Sequence, residues 1–167
     1  MAKLHLIIGP VGSGKSTLAM KLSETNSAVR LVLDEWMAVL FGDDERPAED
    51  RIEWYVARTQ RCLEQIWQVT QDLMRVGTSV VLEVGLIQSD PRRQFYDLID
   101  DAGFDHTVYV VDAARDVRRE RVLRRNVDRG ETFSVEVPPE FFELASDLWE
   151  PPSETERSSR NLVDILG

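Results

Sequence analysis

The chain of 167 residues carries a net charge of −10 and a single cysteine, Cys62. That balance argues against a broad nucleic-acid-binding surface, which needs basic stripes. One thiol excludes an internal disulfide framework and points to a reducing cytoplasm.

No apolar run reaches the length of a membrane span, and the chain enters an apolar strand almost at once. Neither a membrane anchor nor a secretory leader is therefore expected. The length fits one domain spanning 1–167 with its own core. Leu4-His-Leu-Ile-Ile8 reads as the first strand. Gly9-Pro-Val-Gly-Ser-Gly-Lys-Ser-Thr17 follows and fits the Walker A pattern, Gly, four residues, then Gly-Lys-Ser/Thr. Each residue type there has a reason. Gly9, Gly12 and Gly14 let the backbone come close to a phosphate, with Pro10, Val11 and Ser13 completing the bend. The N–H groups of the loop form an anion nest, and the helix opening near Lys15 aims its positive end at the same point. Lys15 adds a mobile cation for the β- and γ-phosphates, Ser16 a hydroxyl for Mg²⁺, and Thr17 follows on the first turn.

The helix is expected to run to about Glu24, with Thr25-Asn-Ser27 as a turn. Val29 to Leu33 reads as strand two, ending in Asp34-Glu35. A short helix carries Trp36 to Phe41, and 42–47 is a polar loop. Apolar residues at helical period then mark a long helix over about 48–76, stopped by Gly77. Strand three spans 78–82 and ends at Glu83. Ser89-Asp-Pro91 opens a helix to about Ala102. Strand four spans 107–111 and ends at Asp112. Residues 114–127 are helical, 126–139 form a loop, Glu140 to Trp149 form a further helix, and 161–165 form an edge strand. Strands alternating with helices imply a parallel sheet with right-handed crossovers.

Ligands of such sheets sit beyond the carboxyl ends of the strands, where Asp34, Glu83 and Asp112 fall. Phosphoryl transfer needs acids there to orient a hydroxyl and to hold a metal shell. Asp34 is assigned to the hydroxyl, Glu83 and Ser16 to the metal, and Asp112 to helix capping. Between Arg115 and Arg129 stand seven arginines against three acids, an island in an acidic chain. Arg118, Arg121 and Arg125 share one helical face, where a polyphosphate would relieve their mutual repulsion.

These residues together resemble the small P-loop kinases of the adenylate-kinase-like division, AAA-type ATP-binding domains. Within that division the chain is similar to the group holding chloramphenicol phosphotransferase, the zeta toxins and the kinase domain of polynucleotide kinase. The resemblance implies an α/β P-loop NTPase fold of three layers, a five-stranded parallel sheet in order 2-3-1-4-5, and a mobile lid at about 126–139. It implies ATP with Mg²⁺, GTP being left open, and a small-molecule acceptor bearing a hydroxyl. It gives Lys15, Asp34, Arg121 and Arg125 the catalytic roles, and places Trp149-Glu-Pro-Pro152 near the adenine. Glu83-Val-Gly-Leu-Ile87 stands where adenylate kinases carry an Arg-bearing segment that grips AMP, which counts against AMP. Arg92 and Arg93 are read as helix surface. Trp36, Trp54, Tyr55 and Arg58 are candidates for the acceptor pocket. A 5′-hydroxyl polynucleotide kinase and a nucleotide-dependent switch acting through a protein partner stay open as alternatives.

Overall fold

Alternate residues of the central strands face opposite helical layers, as the period of two requires. In a computed structural model, which describes residues 1–131 and 133–166, Leu4, Leu6, Ile8, Val80, Leu82, Val108 and Val110 join one core cluster. Ile7, Val81 and Val111 join another on the opposite face. The strands are β1 (Leu4–Ile8), β2 (Val29–Val32), β3 (Val80–Glu83), β4 (His106–Asp112) and β5 (Leu162–Leu166). They pair in parallel in the order β2-β3-β1-β4-β5. This is the α/β P-loop NTPase arrangement expected from the sequence. Strands covered on both faces read as nearly unbroken apolar runs, and β1 is buried throughout.

Helix α1 (Lys15–Asn26) packs Leu18, Ala19 and Leu22 on the Ile7 side. On the other side lie α2 (Leu33–Phe41), α3 (Arg51–Arg75) and α4 (Ser89–Ala102), through residues such as Met37, Ile66 and Phe95. Trp67 of α3 meets Phe95 of α4 edge-on at 5.4 Å. The last helices are α5 (Arg115–Asp128), α6 (Pro139–Asp147) and α7 (Glu154–Ser159).

Several boundaries differ from expectation. Strand β2 stops at Val32 and the helix begins at Leu33, so Asp34 and Glu35 occupy its first turn, where acids favour the positive end of the dipole. Helix α3 starts at Arg51, because Asp50 adopts a left-handed conformation, φ 58°. Helix α5 runs on to Asp128 and Arg129 ends it with φ 45°. The expected lid therefore begins three residues later, at Arg129, as non-helical chain; its Thr132 lies outside the described residues. Helix α7 is an addition, opened by a capping box in which Ser153 and Glu156 satisfy each other's backbone N–H groups. Among the described residues no helix is long and apolar enough to cross a membrane.

Candidate active site

Register places the site. Glu83 at the end of β3 lies level with Ile7 of β1 on one side and Val32 of β2 on the other. The loop of residues 9–14 leaves β1 two residues after Ile7, and Asp34 lies two residues after Val32. Three chain exits thus converge on Glu83.

The loop is held closely. Gly9 has φ 151°, and a Cβ there would stand 2.0 Å from the carbonyl oxygen of Val111, so β4 leaves room for glycine alone. Gly14 precedes α1 with φ 104° and gives it no side-chain cap. The first N–H groups of α1 stay available to an anion. Ser13 is fully buried, and its Oγ has no partner. Pro10 is buried, Val11 packs beside Val122, Val137 and Phe142, and Thr17 is exposed on the first turn of α1.

Lys15 Nζ donates to the carbonyl of Pro10 at 2.8 Å. Burial pushes its pKa down, while the nearby carboxylates of Glu83 and Asp34 work against that shift. Ser16 Oγ donates to Glu83 Oε1 at 3.0 Å. The other oxygen, Glu83 Oε2, is buried without a partner. Burial raises the pKa of Glu83; Asp34 adds to the rise, and Lys15 and the Ser16 hydroxyl oppose it. Lys15, Ser16, Glu83 and Asp34 therefore share one electrostatic neighbourhood.

The donor set suits a magnesium–triphosphate pair. Among the described residues no group of three or more His, Cys, Asp or Glu side chains could hold a metal by itself. Mg²⁺ in phosphoryl-transfer sites takes one or two protein oxygens and completes its shell with phosphate and water. Ser16 and the unpartnered oxygen of Glu83 fit that demand.

The arginines of α5 divide. Arg125 Nε is buried without a partner, and its charge acts on Lys15. Arg121 Nη1 makes only a long contact, 3.5 Å, to the Ser13 carbonyl. Both keep donors for a phosphate. Arg118 does not follow the sequence expectation. It is 5% exposed and bonds to the carbonyls of Ala113 and Val11 and the hydroxyl of Ser146. Asp112 does not cap α5 as expected: its Oδ1 accepts from Ala113 N at 2.7 Å, before the helix begins, and the N-cap is Ala114, with no side-chain cap.

A family model described as an AAA domain matches residues 4–147. The chain belongs to the AAA domain family. No curated protein matches its sequence. Solved structures share the fold of this AAA domain at low identity. A provisionally assigned kinase from Chloroflexus aurantiacus superposes with a TM-score of 0.72 at 20% identity, over 99% of this chain and 85% of that one. Kti12 of Chaetomium thermophilum, in complex with ADP-AlF3, gives 0.68 at 18%, over 98% and 88%. The Mycobacterium tuberculosis APS kinase, in complex with AMPPNP and APS, gives 0.62 at 18%, over 99% and 88%. The resemblance is thus borne out for the fold and for an AAA-type domain.

On the acceptor side of this AAA domain, the candidates part company. Trp36 packs against the main core. Arg58 lies 3.9 Å over the ring of Trp54 and within 3.5 Å of Asp44. Tyr55 is half-exposed; desolvation raises its pKa, and the charge of Asp34 adds to the rise. An open cavity of about 430 Å³ lies beside them, lined by Glu45, Arg46, Pro47, Ala48, Arg51 and Trp54. The stretch Trp149 to Pro152 is tied to the chain around the start of α4. Glu150 N donates to Ile87 O at 2.9 Å, and Trp149 faces Arg92 at 5.7 Å, at the start of α4.

Proposed function

We propose that this protein is a cytoplasmic, ATP-dependent kinase that transfers the γ-phosphoryl group to a hydroxyl of a small molecule. One observation carries the reading: Ser16 and Glu83 are hydrogen-bonded at 3.0 Å beneath Lys15, with Asp34 within electrostatic reach of both charges. A phosphate loop and an acid for a hydroxyl thus lie in one electrostatic neighbourhood. The likeness in fold to an APS kinase in complex with AMPPNP and APS supports the same reading.

The N–H groups of Gly12 and Gly14 and the open end of α1 would hold the β- and γ-phosphates. Lys15, Arg121 and Arg125 would neutralise charge gathering on the bridge that breaks. Ser16 and Glu83 would hold Mg²⁺, which would supply charge neutralisation at the phosphates. Asp34 accepts or orients the acceptor's proton, because its carboxylate stands near Lys15 and its exit from β2 faces α3.

The segment between α5 and α6 serves as the lid. Asn126 grips the backbone of Val137 at both ends of its amide, donating to the carbonyl at 2.8 Å and accepting from the N–H at 3.1 Å. This pair ties the end of α5 to the approach to α6, and a lid there would exclude water from the site.

Asp34→Asn separates binding from transfer. The variant keeps ATP affinity and loses ~10²–10⁴-fold in transfer rate, the usual worth of a positioned base. Calorimetry gives the first quantity, and labelled phosphate transfer to nucleosides, sugars and antibiotics the second. An Asp34→Asn protein that transfers normally but binds ATP poorly reverses the assignment. Transfer to a 5′-hydroxyl oligonucleotide in the same assay supports the polynucleotide reading instead, and acceptor-independent hydrolysis supports the switch.

A further inference from the structure

Arg118 is a buried guanidinium whose donors are turned away from the phosphate site. Its Nε donates to the carbonyl of Ala113 at 3.0 Å, and its Nη1 to the carbonyl of Val11 at 2.9 Å and the Ser146 hydroxyl at 3.1 Å. The Val11 contact has a geometric consequence. Across a trans peptide the carbonyl oxygen and the next N–H point to opposite sides. No cis peptide occurs among the described residues. With the Val11 oxygen fixed toward α5, the N–H of Gly12 is turned to the other side of the loop.

Gly12 itself confirms which side is which. A Cβ on it would stand 2.7 Å from the Arg118 carbonyl oxygen and 2.9 Å from Val122 Cγ2. The outer wall of the loop therefore rests directly on the backbone of α5. The residues that follow Gly12 are Ser13, whose hydroxyl has no partner among the described residues, and Gly14 at the start of α1.

We infer that Arg118 is a positioning residue for nucleotide binding: it holds the Val11 carbonyl outward so that the Gly12 amide is aimed into the phosphate cradle before any ligand arrives. The inference rests on the kinase reading above and adds a task to α5 apart from charge neutralisation. An isolated loop of three glycines samples many peptide orientations, and fixing one in advance removes that ordering cost from binding. Ser146, on α6, holds the same guanidinium from the other side, so the start of α5, the end of α6 and the loop are joined at one group.

The test uses the full chain and ADP with Mg²⁺. Arg118→Met keeps the buried stem and removes every donor. Calorimetry is expected to show ADP binding weakened ~30-fold, the scale on which small misplacements of a binding group act. Arg118→Lys keeps one donor for the Val11 oxygen and recovers affinity to within about 5-fold of wild type. Ser146→Ala leaves the Val11 contact in place and binds as wild type does. Amide NMR gives a readout that a merely structural role would not move. On adding ADP, the Gly12 amide proton shifts downfield in the wild type but not in Arg118→Met, whereas that of Gly14 shifts in both. Where Arg118→Met does not fold, Arg118→Leu replaces it. A folded variant that binds ADP like wild type, or whose Gly12 amide still responds, overturns the inference alone. A wild type that takes up no ADP overturns the kinase reading, and the inference with it.

Discussion

Lys15→Ala is expected to lower the rate of ADP formation by ~10³-fold or more, at the upper end of what one lost transition-state donor costs. Burial in the loop desolvates the ammonium group and lowers its pKa, and the fields of Glu83 and Asp34 oppose that shift. A charge in such a place interacts strongly with a migrating phosphoryl group, because little water screens it. The same desolvation makes the residue a poor stabiliser of the free protein. Its direct bond is one hydrogen bond to Pro10, worth about 1 kcal/mol. The variant should therefore melt within roughly 4 °C of wild type, given about 2–4 °C per kcal/mol for a chain of this size. A coupled assay of ADP release and a thermal melt check the two halves. Turnover close to wild type would remove Lys15 from the mechanism; a lost melt would mean that its role is structural.

How much of this was legible beforehand depended on the range of the interaction concerned. The loop of residues 9–17 is a contiguous word, and its strand and helix flank it directly, so the site's phosphate half could be read off. Apolar runs ending in Asp34, Glu83 and Asp112 gave the sheet's carboxyl edge. The strand order came from the resemblance, since pairing in a parallel sheet leaves no mark on local sequence. The start of α2 was misread because Leu33 suits a strand as well as a helix; the acids that follow it were the better signal. Helix α7 was missed although Ser153-Glu-Thr-Glu156 spells its capping box, because Pro151 and Pro152 read as a terminator. Arg118 was placed on the correct helix face beside Arg121 and Arg125, yet its partners Val11 and Ser146 stand 107 and 28 residues away. Periodicity tells which residues share a face and says nothing of what the face meets. The same limit hid Arg92, which looked like the polar surface of an amphipathic helix.

Arg92 supplies the largest expected effect on stability. It is fully buried, yet its guanidinium makes a two-pronged pair with Glu156, 2.7 and 3.0 Å, and donates to the carbonyls of Leu86 and Glu150. Removing one partner of a buried pair leaves the other charge without compensation, which costs ~3–5 kcal/mol. Glu156→Ala is thus expected to lower Tm by roughly 10 °C. Arg92→Ala should cost less from the charge itself, because the Glu156 side chain keeps 18% exposure and can be rehydrated. The double variant should melt above Glu156→Ala, since it no longer strands a cation in the core. The pH dependence has a definite sign. Burial acts to raise the pKa of Glu156, but the bonds from Arg92 and the Ser153 backbone outweigh it, and the net shift is downward. A carboxylate with a lowered folded pKa stabilises above its unfolded value and loses that contribution as pH falls through the folded one. The Tm gap between wild type and Glu156→Ala should therefore be full at about pH 7 and close as the solution is acidified past the ordinary Glu range. A gap that stays constant, or a double variant no better than the single one, would refute the ion pair as the cause. The pair also bears on the site. By holding Leu86 and Glu150 together it fixes the chain that leaves β3 directly after Glu83, so loosening it should weaken Mg²⁺-dependent turnover even at temperatures where the fold persists.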